Sequence, residues 1–536
     1  MKKIAIIGAG PTGIYTFHAL LQNAVPLAVS IYEQADRAGV GMPYSKEDTA
    51  RMMLANIASI EIPPIFSTYI DWLQGLSVEH LARYGVRKES LHVRQFLPRL
   101  LLGEYFHDQF LQLVATARRR GFEVAIHESC RVEDLQVTPE GVMLCAQGVA
   151  EPAHFDLAVI ATGHVWPDDD TTPRAHFPSP WSGLMSARIA PCRVGIMGTS
   201  LSGIDAAMAV AAQHGEFVEA EDRSLSFRLD RDSEALEMVM MSRSGILPEA
   251  DFYCPIPYEP LTIASDEAIA RHIAAGTEGL LDRVFALMAQ EIDAADPQWS
   301  REIALRSLNA DSFHDAWFAA RRKSDPFRWA EANLIEVERN KRDRRTVAWR
   351  YAILRLHEAV QAIVPHLDSR DSERFSAGLA RVFIDNYAAI PSQSIRRLLA
   401  LHEAGVISIL PLGPDYAIAI EDNLTEISVG QSRYAFEVFI DARGQKPLKT
   451  KDLPFPTLRR QILAVGDAIP DVGEDYTLLE PEIVRGRIAF GALPYLMHDR
   501  PFVQGLTVCA EIGAAMAKAA SQPAARPRRW LPFIER

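Results

Sequence analysis

A chain of 536 residues is too long for one ordinary hydrophobic core, so two or three domains are expected. With 48% hydrophobic and 23% charged residues it has the composition of a soluble globular protein, and a formal charge of −13 argues against nucleic acid or an anionic membrane as the main partner. Five cysteines, scattered and without a CxxC pair, exclude a zinc ribbon and a redox disulfide between neighbouring cysteines, offer no metal cluster, and fit a reducing cytoplasm.

The first element is a strand. Ile4–Ile7 is a short apolar run suited to burial on both faces of a parallel sheet, and too short for the apolar stretch of a secretion signal. Gly8, Gly10 and Gly13 follow at GxGxxG spacing, with Pro11 inside the turn. Gly8 permits the tight turn, Gly10 lets the backbone approach a pyrophosphate, and Gly13 lets helix and strand pack closely. Ile14, Phe17 and Leu21 then recur at helical spacing. A second strand, Leu27–Tyr32, ends in Glu33, 20 residues beyond Gly13, where an acid accepts hydrogen bonds from ribose hydroxyls. The opening is therefore read as a dinucleotide site. No apolar run reaches the roughly 20 residues of a membrane-crossing helix.

Further along, Phe155–His164 is a buried strand closing on Ala161, Thr162 and Gly163. The segment from Cys192 to Ala212 repeats the opening logic, with a strand at Val194–Met197, a turn at Gly198, Ser200 and Gly203, and a helical face of Leu201, Ile204 and Met208. Ser200 replaces the middle glycine. The next strand is delayed by an acidic insertion and ends in Arg243, which pairs with a 2′-phosphate or with a surface acid. Two such units suggest FAD at the first and a nicotinamide cofactor at the second, NADPH favoured by Arg243. A second unit that binds nothing is the alternative.

Residues 263–404 read as mainly helical, with Ile353, Leu356, Val360 and Ile363 forming one stripe and Ile395, Leu398, Leu399 and His402 another. The charged run EVERNKRDRRTVAWRYAILRLHEA contains Arg344, Arg345, Arg350 and Arg355; it is a solvated helix face or, lining a site, a holder of a carboxylated substrate. VISILPLG and YAFEVFID return to strand, and FVQGLTVCAEIGAAMA to helix. The tail carries Trp530 and Phe533, which would dock it or leave it frayed.

The segments GAGPTG, YEQADRAGVGMPYS, RMMLANIAS, AVIATGH, GTSLSGIDA and SRSGILPEADF together resemble the FAD/NAD(P)-binding proteins related to flavin-containing and N-hydroxylating monooxygenases. That resemblance implies an α/β fold of two Rossmann-like dinucleotide-binding domains with a helical insertion. The expected boundaries are 1–188 with 440–536 for FAD, 189–262 with 405–439 for NAD(P), and 263–404 for the insertion or lid. Read physically, the glycine-rich turn Ala38–Tyr44 runs Gly41 alongside the FAD pyrophosphate and ring, and Asn56, a polar residue after a short apolar run, hydrogen-bonds the flavin edge or only caps a turn. Asp251 and Asn386 are the polar residues expected near the ring. Arg443 stands where such proteins usually carry the threonine of a second Ala-Thr-Gly end. The implied activity is NADPH-driven reduction of FAD followed by oxygen insertion into a small nucleophilic amine or amino-acid-like substrate, through a flavin C4a-hydroperoxide and with dioxygen as co-substrate. A flavoprotein reductase or dehydrogenase without oxygen insertion, and a non-catalytic nucleotide-binding protein, are the alternatives.

Overall fold

The computed structural model describes the whole chain except residues 48, 165–174, 223, 389, 422, 499, 501, 503, 504 and 522–536, so Trp530 and Phe533 lie outside the described residues. Two five-stranded parallel sheets carry the architecture. In the first, the order is Ile488–Phe490, Leu157–Ile160, Lys3–Ile7, Ala28–Tyr32 and Glu123–His127. In the second it is Ile407–Pro411, Glu237–Ser242, Arg193–Met197, Val438–Asp441 and His176–Phe177. The central strands are short apolar runs because helices and loops cover both faces; all four residues of Leu157–Ile160 are buried.

The two halves follow one plan. A central strand runs through a glycine turn into a helix, Pro11–Leu20 in the first half and Leu201–Ala211 in the second. A neighbouring strand follows, then a long excursion, then the third strand. Between the third and fourth strands each half carries a three-stranded antiparallel sheet, residues 132–155 and 416–436. The fifth strand breaks the repeat. In the first sheet it comes from near the C-terminus, whereas His176–Phe177 enters the second sheet from ahead of residue 189. The boundary expected at 188/189 is thus too late, because a two-residue strand has no periodicity to announce it.

Among the described residues the excursion of the second half holds nine α-helices between Asp266 and Glu403. It buries a core of its own, including Leu281, Val284, Met288, Ile353, Leu356 and Phe383. Each such side chain removed from water contributes about 1.5–3 kcal/mol. The expected stripe Ile353, Leu356, Val360 and Ile363 is fully buried. In Ser392–Glu403 the seam runs instead through Ile395, Leu398 and Leu401, and His402 faces outward, stacked on Phe327 at 3.7 Å. Four of the helices start on a side-chain cap, from Ser265, Asp296, Asp325 and Asp368. Among the described residues no helix is long and apolar enough to cross a membrane.

Candidate functional site

The first turn is shaped by what its glycines exclude. Gly8 has φ +100°, and a β-carbon there would stand 2.3 Å from the Ala161 carbonyl oxygen; one on Gly13 would stand 2.1 Å from the Gly8 oxygen. Strand, turn and helix therefore interlock only without side chains at these positions. Gly10 is the extended residue before the helix, makes no side-chain cap, and packs against Gly41, itself at φ +76°. Pro11 occupies the first helical position, where a missing N–H costs nothing. The helix start thus keeps its unpaired N–H groups for an outside acceptor. Glu33 ties the turn to the second strand by accepting from the Ala9 and Ala35 amides, both at 2.9 Å, and each oxygen retains a further lone pair. Thr162 Oγ1 is buried without a hydrogen-bond partner among the described residues, and beside it Gly163, at φ +69°, opens on empty space. A bare helix start, an orphaned hydroxyl and a side-chain-free gap fit a dinucleotide pyrophosphate.

The second turn repeats this construction. Gly198 has φ +138° with a β-carbon position 2.8 Å from the Ala442 oxygen, and Gly203 would strike the Gly198 oxygen at 2.2 Å. Ala442 therefore stands to the second turn as Ala161 does to the first. Ser200 is the residue before the helix, yet its hydroxyl makes no cap. Thr199 Oγ1 donates to the Ile246 carbonyl at 2.7 Å and lies 3.1 Å from Ser242 Oγ, whose hydroxyl can donate to it, binding the turn to the neighbouring strand. Arg243, directly after that strand, is exposed and forms no ion pair among the described residues. Arg443 is folded back onto Asp441, with Nε 2.8 Å from Oδ1.

A cleft of about 1870 Å³ lies between the halves. It is lined mainly by the two excursions, residues 44–98 from the first half and 251–258 and 335–397 from the second, with Leu201 and Gly505–Thr507 at its edges. Both excursions leave the carboxyl ends of their strands, which is where open parallel sheets place ligands. A buried ion pair joins the halves beneath it: Arg99 lies 2.7 Å from Asp205 and donates to the Leu54 carbonyl at 3.0 Å.

The sequence-predicted residues distribute unevenly over this site. Asn56 is exposed on the cleft wall. Asp251 also lines it, paired with Lys341 at 2.9 Å; burial pushes its carboxyl above the ordinary range while Lys341 opposes that shift. Asn386 reaches the cleft too, but it is buried and its Nδ2 donates to the Arg350 carbonyl at 3.1 Å. From the charged run Arg344 lines the cleft, together with Lys341 and Arg342, whereas Arg345, Arg350 and Arg355 do not. Arg350 is buried against Glu249 at 2.8 Å, and Arg355 binds the Glu259 and Pro260 carbonyls.

Several cleft residues escaped sequence reading. Glu61 accepts from the Tyr258 hydroxyl at 3.3 Å and is pushed up by burial and then by the nearby Asp251 charge. Arg94 donates to the Cys254 carbonyl at 2.8 Å and lies over the Tyr253 ring. The only available signal was the density of basic residues in ARYGVRKESLHVRQF.

Fold and site together define an FAD–NAD(P)-binding protein with two dinucleotide-type halves, and residues 5–165 match the family described as FAD-NAD(P)-binding. Residues 265–387, the bulk of the insertion, match the YdhS-like middle domain. Over 533 residues the chain is 66% identical to the protein named "Uncharacterized protein YdhS" of Escherichia coli strain K12, covering 99% of this chain and 100% of that one. It belongs to the YdhS family. Among solved structures it is similar to the ornithine N-hydroxylase of Kutzneria sp. 744, solved with reduced FAD, NADP⁺ and L-ornithine. The TM-score is 0.51 at 13% identity, over 97% of this chain and 98% of that one. At that identity the likeness is one of fold.

Proposed function

We propose that this chain is an NADPH-using, FAD-dependent oxidoreductase, and specifically a monooxygenase acting on a small nucleophilic substrate of amine or amino-acid type. The observation that carries the reading is one cleft lined by excursions from both dinucleotide-type halves, to which Tyr44, bonded to Gly41, and Leu201, next to Ser200, both belong. The first turn holds FAD: the bare start of Pro11–Leu20 and the Gly10–Gly41 gap take the pyrophosphate, Glu33 the ribose, Thr162 and Gly163 the approach to the ring, and Asn56 its edge. The second turn, with Gly198, Ser200 and Gly203, holds the nicotinamide cofactor, and Arg243 takes the 2′-phosphate. Bound FAD supplies the redox chemistry, passing electrons from the nicotinamide to dioxygen. The chain supplies geometry, proton control and exclusion of water. Asp251, held by Lys341, and Glu61 are the groups that give or take a proton in the cleft, and the helical insertion covers it. Asn386 acts through the backbone it holds rather than by contact with the reacting atoms. Overall, substrate, dioxygen, NADPH and one proton would give hydroxylated substrate, water and NADP⁺. The five free thiols suit a cytoplasmic setting.

The test is product analysis on the FAD-loaded protein with NADPH, oxygen and a panel of amines and amino acids. Hydroxylated product appearing in step with NADPH consumption supports the reading. Hydrogen peroxide in stoichiometric yield with every substrate, alongside efficient transfer to an organic acceptor, replaces it with the reductase.

A further inference from the structure

The cleft is cationic in a chain that is acidic overall. Nine arginine or lysine side chains line it against four carboxylates, while the chain as a whole carries −13. Two of those carboxylates are already engaged: Asp251 with Lys341, and Glu338 with Arg396 at 2.5 Å. Arg83, Arg87, Arg344 and Arg397 form no ion pair with any carboxylate among the described residues. The first two come from the excursion of the first half, Arg344 and Arg397 from that of the second, so the positive charge lines both sides.

Arg397 is the most informative of the four. Its guanidinium donates to the Met52 carbonyl and sits 5.9 Å from the Phe217 ring centroid, and burial pushes it down to about 10. A desolvated cation given only a carbonyl and a ring is a cost unless a ligand supplies the countercharge. The nicotinamide cofactor does not account for the whole set. Its phosphates are assigned to the second turn and Arg243, which lies outside the cleft lining, whereas Arg83 and Arg87 belong to the opposite half. The cleft also exceeds the roughly 300–1,000 Å³ usual for one small ligand, leaving room beside the cofactor rings.

We infer that the cleft binds a substrate carrying at least two oxyanion groups, carboxylate or phosphate, held between Arg83 and Arg87 on one side and Arg344 and Arg397 on the other. As a substrate site this rests on the oxidoreductase reading; as an anion site it does not. Guanidiniums grip planar or tetrahedral oxyanions through paired N–H donors, and a neutral or cationic amine gains nothing from them.

Calorimetric titration of the FAD-loaded full chain tests this without turnover, using citrate and inorganic pyrophosphate as probes and 1,4-diaminobutane as control. At least one polyanion is expected to bind, more weakly as salt rises, and the diamine not to bind; which polyanion binds identifies carboxylate or phosphate chemistry. Arg83→Ala/Arg344→Ala is expected to weaken the polyanion by about tenfold or more, each charged contact being worth about 1.5–3 kcal/mol. NADP⁺ affinity is expected to stay within about twofold. Arg87→Ala, at an exposed position, provides the same reading should the double variant fold poorly. Absence of polyanion binding, equal binding in the variants, or a parallel loss of NADP⁺ affinity overturns the inference. Polyanion binding by a protein that never hydroxylates leaves the site standing and removes only the monooxygenase.

Discussion

The two glycine turns share a backbone plan and differ in how each is tied to the strand beside it. In the first, the carboxylate of Glu33 reaches back to the Ala9 and Ala35 amides, so one acid both fixes the turn and stands where a ribose would lie. In the second, that structural task falls to hydroxyls: Thr199 binds Ser242 and the Ile246 carbonyl. Once the tie is made by Thr199, the residue ending the strand no longer has to be an acid. Arg243 is then free to be selected for a ligand, and it stays exposed. A shared fold thus constrains the glycines tightly and the strand-end residue hardly at all. Both turns also leave their helices uncapped, whereas four helices of the insertion cap themselves. Five other insertion helices also start without a side-chain cap, so a bare start leaves N–H groups that a phosphate can meet without by itself marking a ligand.

The strongest way to break this comparison is to add one carbon to each turn. Gly13→Ala places a β-carbon 2.1 Å from the Gly8 oxygen, and Gly203→Ala places one 2.2 Å from the Gly198 oxygen. If the turns serve separate cofactors, the first variant is colourless or unfolded, while the second keeps bound flavin and loses NADP⁺ binding. Flavin absorbance of the purified variants, with NADP⁺ titration, separates the outcomes. Loss of flavin in both would merge the two turns into one function.

The halves are also joined by the Arg99–Asp205 pair, with side chains only 8% and 10% exposed. Arg99→Ala leaves Asp205 buried without its cation, and breaking such a pair costs about 3–5 kcal/mol. Chemical denaturation of the FAD-loaded protein measures this. A loss below about 1 kcal/mol would mean that the two halves are not coupled through this contact.

Arg243→Ala tests the second turn alone. Removal of a charge-assisted contact worth about 1.5–3 kcal/mol raises KM for NADPH about 10- to 100-fold and leaves NADH nearly unchanged. Equal losses for both cofactors would return Arg243 to a role in folding.

The smallest effect concerns Glu61, on the first half's side of the cleft. Its folded carboxyl holds a proton more tightly than in the unfolded chain, through burial and then the Asp251 charge. The protonated form is therefore favoured by folding, and this stabilisation is lost as pH rises from the ordinary carboxylate range through the raised value. Glu61→Gln has no such charge to bury. Its Tm is expected to match the parent near pH 4 and to exceed it at pH 8. A constant difference across that range would show that the cleft does not perturb Glu61.

Much of this was legible because its causes are local. Gly8, Gly10 and Gly13, and equally Gly198 and Gly203, keep the spacing of one strand–turn–helix unit, and Gly13 and Gly203 are dictated within it, by the Gly8 and Gly198 oxygens five residues back. The stripe Ile353–Ile363 was legible for the same reason, since helical periodicity alone sets it. The charged run left its two readings open, because whether an arginine meets solvent, Glu249 or a cleft depends on elements the run does not contain.

By itself, then, the sequence determined the two turns, the buried parallel strands and the helical character of the insertion, all signalled by residue patterns a few positions long. The tertiary structure alone decided that the two excursions share one cleft, that Arg397 meets Met52 across 345 residues, and that Lys341 meets Asp251. Such pairings follow from how two sheets dock, and no spacing along the chain encodes the balance of charge at the surface where they meet.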